Sequence, residues 1–198
     1  LIDIHLLALK KALEKKKELS GQAENSLIKA AGLLSQMQQP IRALEIVNKA
    51  VEIDAYRVNF WVQKANLLRV LKNLDDSLKA IKSGFKLDAK NPGLLASRAY
   101  LSFESGDLDQ AASDARQALM VNTKLFHLWL LLAKIHIFKE EHSDALHSLS
   151  QAEKINPDNT QINNLKAQIL FNEGAYGRGL ALSQKVFTTP PKERTVQD

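Results

Sequence analysis

Hydrophobic residues recur along this chain at the spacing of amphipathic helices, and polar turns interrupt them regularly. In "LFHLWLLLAKIHIF" (125–138) only His127, Lys134 and His136 break an apolar run. Trp129, Leu132, Ala133 and His136 stand at i, i+3, i+4 and i+7, on one helical face. The polar turn "KEEHS" follows, and Ala145, Leu149 and Ala152 then resume the helical spacing. Pro157 closes the unit, because proline lacks the N–H that would continue a helix. One unit earlier the turn is "SGDLD", with Gly106 suited to a left-handed helix end and Asp107 to a cap. Each unit reads as two helices joined by a short turn.

The unit repeats. Steps of 34 residues through Ala133 meet Ala31, Ala65, Ala99, Ala133 and Ala167. The same stride through Ala145 meets Ala43, Ser77, Ala111, Ala145 and Gly179, and a third track meets Ala50, Gly84, Ala118, Ala152 and Val186. Fourteen of these fifteen residues are Ala, Ser or Gly. Two antiparallel helices on a short turn approach closely only where small side chains line the contact, while larger ones such as Leu132 and Leu149 fill the layer beside it. The pattern predicts an all-α chain of antiparallel helix pairs. Residues 1–20 carry Ile2, Leu6, Leu9 and Leu13 on one face and predict an amphipathic helix. It falls about one residue out of the 34-residue register, as a cap or the remnant of an upstream repeat would.

The fourth unit, "WLLLAKIH…ALHSL…A…P", places Trp129, Leu132, Ala133, His136, Ala145, Leu149, Ala152 and Pro157 as the tetratricopeptide repeat (TPR) does, and "GDLDQA" (106–111) is similar to that family's most recurrent string. The chain therefore resembles the TPR family. Five repeats are expected, over 24–57, 58–91, 92–125, 126–159 and 160–189, with a tail at 190–198. Arg98 and Ser102 depart from the family's apolar and aromatic preferences, and Ala55, Ala89 and Thr123 replace the closing proline. The resemblance implies a right-handed superhelical solenoid whose concave face is lined by the first helix of each repeat. Projected on the repeat, the groove takes Asn59, Val62, Asn66 and Arg69 from the second unit, and Tyr100 and Phe103 from the third. His127, Lys134 and Phe138 come from the fourth, and Gln161, Asn164, Gln168 and Phe171 from the fifth. Amides interleaved with aromatics and two cations suit an extended or helical peptide. The subtype that clamps the two carboxylates of a chaperone tail needs Lys, Asn, Asn, Lys and Arg over three units, and here only Asn66 fits.

Composition narrows the chemistry. The chain lacks cysteine, so disulfides and thiolate metal sites are excluded. Six residues, Leu128 to Ala133, make its longest unbroken apolar run, against the roughly 20 a spanning helix needs. No membrane span is expected. The five histidines point in different directions when placed on the repeat, so no metal site is expected, and no cofactor either. "GAYGRG" (174–179) joins two helices instead of following a strand, so it reads as a turn and not a phosphate loop. No nucleophile elbow, P-loop, HExxH or paired-carboxylate site is present. The net charge of +5 is concentrated at Lys10, Lys11, Lys15, Lys16 and Lys17, read as a solvated helix face.

These observations predict a non-catalytic scaffold binding a peptide or helix of a protein partner, as a segment of a larger protein or assembly, with no small-molecule substrate. Three alternatives stand beside it: the targeting arm of an enzyme, a periplasmic scaffold of bacterial secretion or polysaccharide export, and a polyanion-binding module using the Lys10–Lys17 face. Nucleic acid is disfavoured as a partner. The last helix, "GRGLALSQKVF", has Leu180, Leu182, Val186 and Phe187 to cover and no polar cap after it, so self-association through that end, or continuation of the array, is expected. The chain opens on Leu1, not Met, so a missing leader carries no information, and both cytoplasm and periplasm stay open.

Overall fold

The computed structural model describes residues 21–188. Over that span the chain forms ten helices, with no strand among the described residues. They are α1 (Gly21–Gln36), α2 (Pro40–Ile53), α3 (Val58–Val70), α4 (Leu74–Phe85), α5 (Pro92–Glu104), α6 (Leu108–Val121), α7 (Phe126–Phe138), α8 (His142–Ile155), α9 (Thr160–Asn172) and α10 (Tyr176–Thr188). The helix expected over 1–20, the Lys10–Lys17 face and the tail at 190–198 lie outside the described residues. The chain divides between Val121 and Asn122 into two compact units. Inside the first, α1 packs on α2, α3 on α4 and α5 on α6, while α1, α3 and α5 also touch in succession. Inside the second, α7 packs on α8 and α9 on α10, and α7 touches α9.

The turns within the pairs share one geometry. Gln38, Lys72, Gly106, Glu140 and Gly174, each 34 residues from the next, have φ of 58°, 61°, 86°, 59° and 75°. In each turn the next residue's N–H donates to a carbonyl five residues back, from Gln39 to Leu34, Asn73 to Leu68, Asp107 to Ser102, Glu141 to His136 and Ala175 to Leu170. This is the Schellman ending, which satisfies the last carbonyls of a helix and reverses the chain. Only two of the five left-handed positions are glycine. The other three hold the conformation because the packing of both helices dictates it, at a cost of about 1–2 kcal/mol each.

The small-residue lines are the helix contacts. Ala31, Ala65, Ala99, Ala133 and Ala167 are at most 2% exposed, and Ala43, Ser77, Ala111 and Ala145 at most 1%. Ser77 Oγ donates to the Ala65 carbonyl at 2.8 Å, tying α4 to α3 where the two lines meet. At Gly84 a Cβ would stand 2.7 Å from a Leu94 methyl, so the third line needs glycine there.

The departures from the repeat pattern have local compensations. Where proline is missing, Asp54, Asp88 and Asn122 accept the N–H two residues on through their side chains, making Asx turns that close the units. Trp61 and Trp129 reach back across these turns, their Nε1 donating to the Ala55 and Thr123 carbonyls at 2.7 and 2.9 Å. Arg98 stands where an apolar side chain is usual, but its guanidinium makes two 2.7 Å bonds to Asp114, which is fully buried. It also lies 4.7 Å from the centre of the Phe85 ring. The ion pair and the guanidinium stacked on Phe85 take the place an apolar side chain would otherwise fill.

Candidate functional site

The candidate residues of the first unit lie on α3 and α5. Asn59, Val62, Asn66 and Arg69 recur at three- and four-residue spacing along one face of α3. Val62 is half-buried, and its methyls come within 3.2 Å of where a Cβ on Gly93 would sit, so glycine at 93 lets α5 approach α3 closely. Asn66 is held by Ser97, whose Oγ lies 3.0 Å from Asn66 Oδ1 and 2.9 Å from the Gly93 carbonyl, one proton serving two acceptors. The Asn66 N–H donors have no acceptor among the described residues.

Arg69 is engaged inside the unit. Its guanidinium bonds Glu104 at the end of α5 and lies 5.1 Å from the centre of the Tyr100 ring. Lys72 Nζ reaches the other Glu104 oxygen at 3.1 Å. Burial alone would push the Glu104 carboxyl up, but Lys72 and Arg69 more than offset it, so it titrates below the usual carboxylate range. Burial pushes the Tyr100 phenol up, and the neighbouring Arg69 opposes it. The cation expected to face a ligand at Arg69 is therefore largely neutralised by Glu104, a residue the sequence pattern had not placed in the site. Phe103 is half-buried beside them on α5.

The candidates of the second unit lie on α7 and α9. His127, Lys134 and Phe138 are exposed on α7, Phe138 by 68%. The His127 ring stands edge-on to Phe126, 5.5 Å between centres. No carboxylate pairs with Lys134 among the described residues, so its charge is available to a partner. Gln161, Asn164 and Gln168 form an exposed amide line on α9, and Phe171 ends it. The Phe171 ring lies against Gly179, where a Cβ would come within 3.0 Å, and 6.4 Å from the Tyr176 ring. Leu180 is exposed and Leu182 half-buried on α10.

Among the described residues no two histidines share a cluster of metal-ligating groups. His136 is buried on α7 and its Nδ1 lies 2.6 Å from Glu141 Oε2. With Asp144 these two bring one nitrogen and two carboxylate oxygens within 4.8 Å, a grouping missed by a reading that followed histidines alone. Glu141 and Asp144 are exposed, and they crowd the N-terminus of α8, where negative charge is favoured in any helix. No described helix is long and apolar enough to cross a membrane.

Residues 102–169 match the family model of the tetratricopeptide repeat. A cell division cycle protein 27 homologue of Caenorhabditis elegans is 23% identical over 103 residues, which are 52% of this chain and 13% of that protein, so the chain spans a small part of that relative. A thermophilic TPR protein of Thermus thermophilus superposes on 86% of this chain and 93% of its own at a TM-score of 0.72 and 20% identity. PilF of Pseudomonas aeruginosa does so over 83% and 77%, with a TM-score of 0.71 and 14% identity. YrrB, described as a TPR protein with an unusual peptide-binding site, covers 93% of both chains at 0.62 and 16%. Repeat, turn geometry and fold agree: residues 102–169 match the tetratricopeptide-repeat model, and the described helices share the fold of solved TPR proteins.

Proposed function

We propose that the chain is a non-catalytic interaction scaffold, built of five repeats over 24–189, which holds a peptide or helix of a partner protein against the first helices of those repeats. The observation that carries this reading is the arrangement of amides on those helices. Asn66 has its carbonyl occupied by Ser97 and no acceptor for its N–H donors among the described residues, and Gln161, Asn164 and Gln168 line α9 without an apolar interruption. Such groups pair with the backbone of a bound segment whatever its side chains, and flanking aromatics such as Tyr100 and Phe138 add area. Lys134 supplies the charge on α7, while Arg69 acts chiefly by orienting Tyr100. YrrB, which shares the fold, is described as having a peptide-binding site, and peptide binding by this fold is in keeping with the reading.

The test is a capture experiment from the source cell with wild type beside a Tyr100→Ala/Lys134→Glu variant, after circular dichroism has shown equal helicity. Loss of a partner only with the variant supports the reading and identifies the ligand. Equal capture by both removes these faces from consideration.

A further inference from the structure

A second surface of the first unit has the chemistry of a binding site, and it shares no residue with the faces just described. Between α2, α3 and α4 lies an open cleft of about 480 Å³, within the range of pockets that seat small ligands or short peptide segments. Leu44, Trp61, Leu68 and Ala80 make its apolar walls, and Asn48, Lys64, Asp76 and Lys79 its polar ones. On α3 the cleft takes Trp61, Lys64 and Leu68, whereas the groove candidates are Asn59, Val62, Asn66 and Arg69. At 3.6 residues per turn the two sets are centred roughly 140° apart around the helix. A single helix thus presents one face to each surface.

The polar groups of the cleft are unequally satisfied. Asp76 is engaged by Lys79 Nζ at 2.8 Å and Asn73 Nδ2 at 2.8 Å, and Lys79 is largely neutralised with it. Lys64 is half-buried, lies 5.6 Å from the centre of the Trp61 ring, and has no carboxylate paired with it among the described residues. Asp76 also feels the Lys64 charge, but with Lys79 bound to it two cations share one carboxylate, so the lining carries a net positive charge beside an aromatic wall. Asn48 Oδ1 is buried without a hydrogen-bond donor, a costly condition for an amide carbonyl. Among the described residues no hydrogen bond fixes that amide, so it is free to turn its carbonyl toward a donor placed in the cleft. An incoming group that completes this site needs an apolar side chain for the wall, an N–H for Asn48 and an anion for Lys64.

We propose that this cleft docks a short segment of a partner protein in which a large aliphatic side chain is flanked by a carboxylate. The backbone N–H of that segment bonds Asn48, its aliphatic side chain rests on Trp61, Leu44 and Leu68, and its carboxylate pairs with Lys64. The proposal stands whether or not the groove binds, since the residues differ.

The experiment is a titration of the ¹⁵N-labelled chain with two acetylated, amidated peptides, Gly-Glu-Leu-Glu-Gly and Gly-Lys-Leu-Lys-Gly. The acidic peptide is expected to shift the Trp61 indole and the amides of Leu44, Asn48 and Lys64 saturably, and to bind about tenfold more tightly than the basic one. Lys64→Glu should reverse that order, and Asn48→Leu should weaken the acidic peptide while keeping the preference. Lys64 makes no hydrogen bond among the described residues, so the charge reversal is expected to leave helicity unchanged, and Lys64→Gln is the milder substitute. Absence of saturable shifts at these residues overturns the proposal. So does equal binding of the two peptides, indifference to Lys64→Glu, or shifts confined to the Asn66 and Tyr100 face.

Discussion

The α5/α6 and α7/α8 pairs occupy the same 34-residue frame and fill it with different chemistry. Both place fully buried alanines on the contact line, Ala99, Ala111 and Ala118 in one, Ala133, Ala145 and Ala152 in the other. Both end their first helix in the same Schellman turn. Beside that line α7 buries Leu128, Leu130, Leu131, Leu132, Ile135 and Ile137 with one polar ring, His136, whereas α5 and α6 set Ser97, Ser102 and the Asp114 partner of Arg98 among Leu94, Leu95, Leu101 and Leu119. The backbone path is therefore set by the close approach and the turn, and the layer alongside accepts either an ion pair or aliphatic side chains. The two pairs differ in how they should fail.

The largest effect is expected at the ion pair. Arg98→Met leaves the Asp114 carboxylate buried and uncompensated, and should cost about 3–5 kcal/mol, whereas Arg98→Met/Asp114→Leu should recover most of that loss. Urea unfolding of the single and double variants, with hydrogen exchange to localise the change to α5 and α6, makes the comparison. A single variant as stable as wild type would mean the pair contributes nothing to docking α5 on α6. In the apolar pair the matching test is Leu131→Ala, expected to cost about 3 kcal/mol from lost transfer and the cavity left behind. No second substitution of opposite sign should rescue it, because no stranded charge is created. A rescue confined to the α5/α6 pair is the signature of the difference.

Much of this architecture was legible in the sequence because close packing leaves a periodic record. The alanine tracks read at a stride of 34 are the buried helix contacts, and "GDLDQA" announced both the left-handed Gly106 and the Asp107 cap, whose Oδ1 accepts the Gln110 N–H. Less legible were the compensations. Arg98 was visible as a departure, but nothing in a one-dimensional pattern joins it to Asp114 on the next helix. The turns at Gln38, Lys72 and Glu140 carry no glycine, so their shared geometry appears only when the backbone is seen. The site was legible as residue types and not as pairings. Arg69 was visible as a cation, but Glu104, 35 residues on, removes most of its charge, and Ser97 orients Asn66 across 31 residues. A search for pairs one stride apart, give or take a turn, could have found both.

The turns offer a smaller and cleaner contrast. Gly106 and Glu140 hold the same left-handed position in the two pairs, with φ of 86° and 59°. Glu140→Gly should stabilise α7/α8 by about 1 kcal/mol, and Gly106→Ala should destabilise α5/α6 by a similar amount. Chemical denaturation of both variants checks the signs. If Glu140→Gly is destabilising, the glutamate side chain contributes more than its strained backbone costs.

The smallest effect separates the two first helices by pH. Glu104 ends α5 and Phe138 stands one stride later at the end of α7, so only the first has a titrating group there. Lys72 and Arg69 hold the Glu104 carboxyl below its ordinary value of 4.5 in the folded chain. A carboxylate with a depressed folded pKa adds stability that is fully present above the unfolded value and is lost as the pH falls through the folded one. The contribution should be on the order of 0.5 kcal/mol, since the pair is partly solvated. Glu104→Gln should therefore lower the urea midpoint at neutral pH, and its difference from wild type should close below pH 4.5. Hydrogen exchange in the last turn of α5 should follow the same course while the last turn of α7 does not. A difference constant across that range would mean that Glu104 acts through packing against Arg69 and Tyr100 and not through its charge.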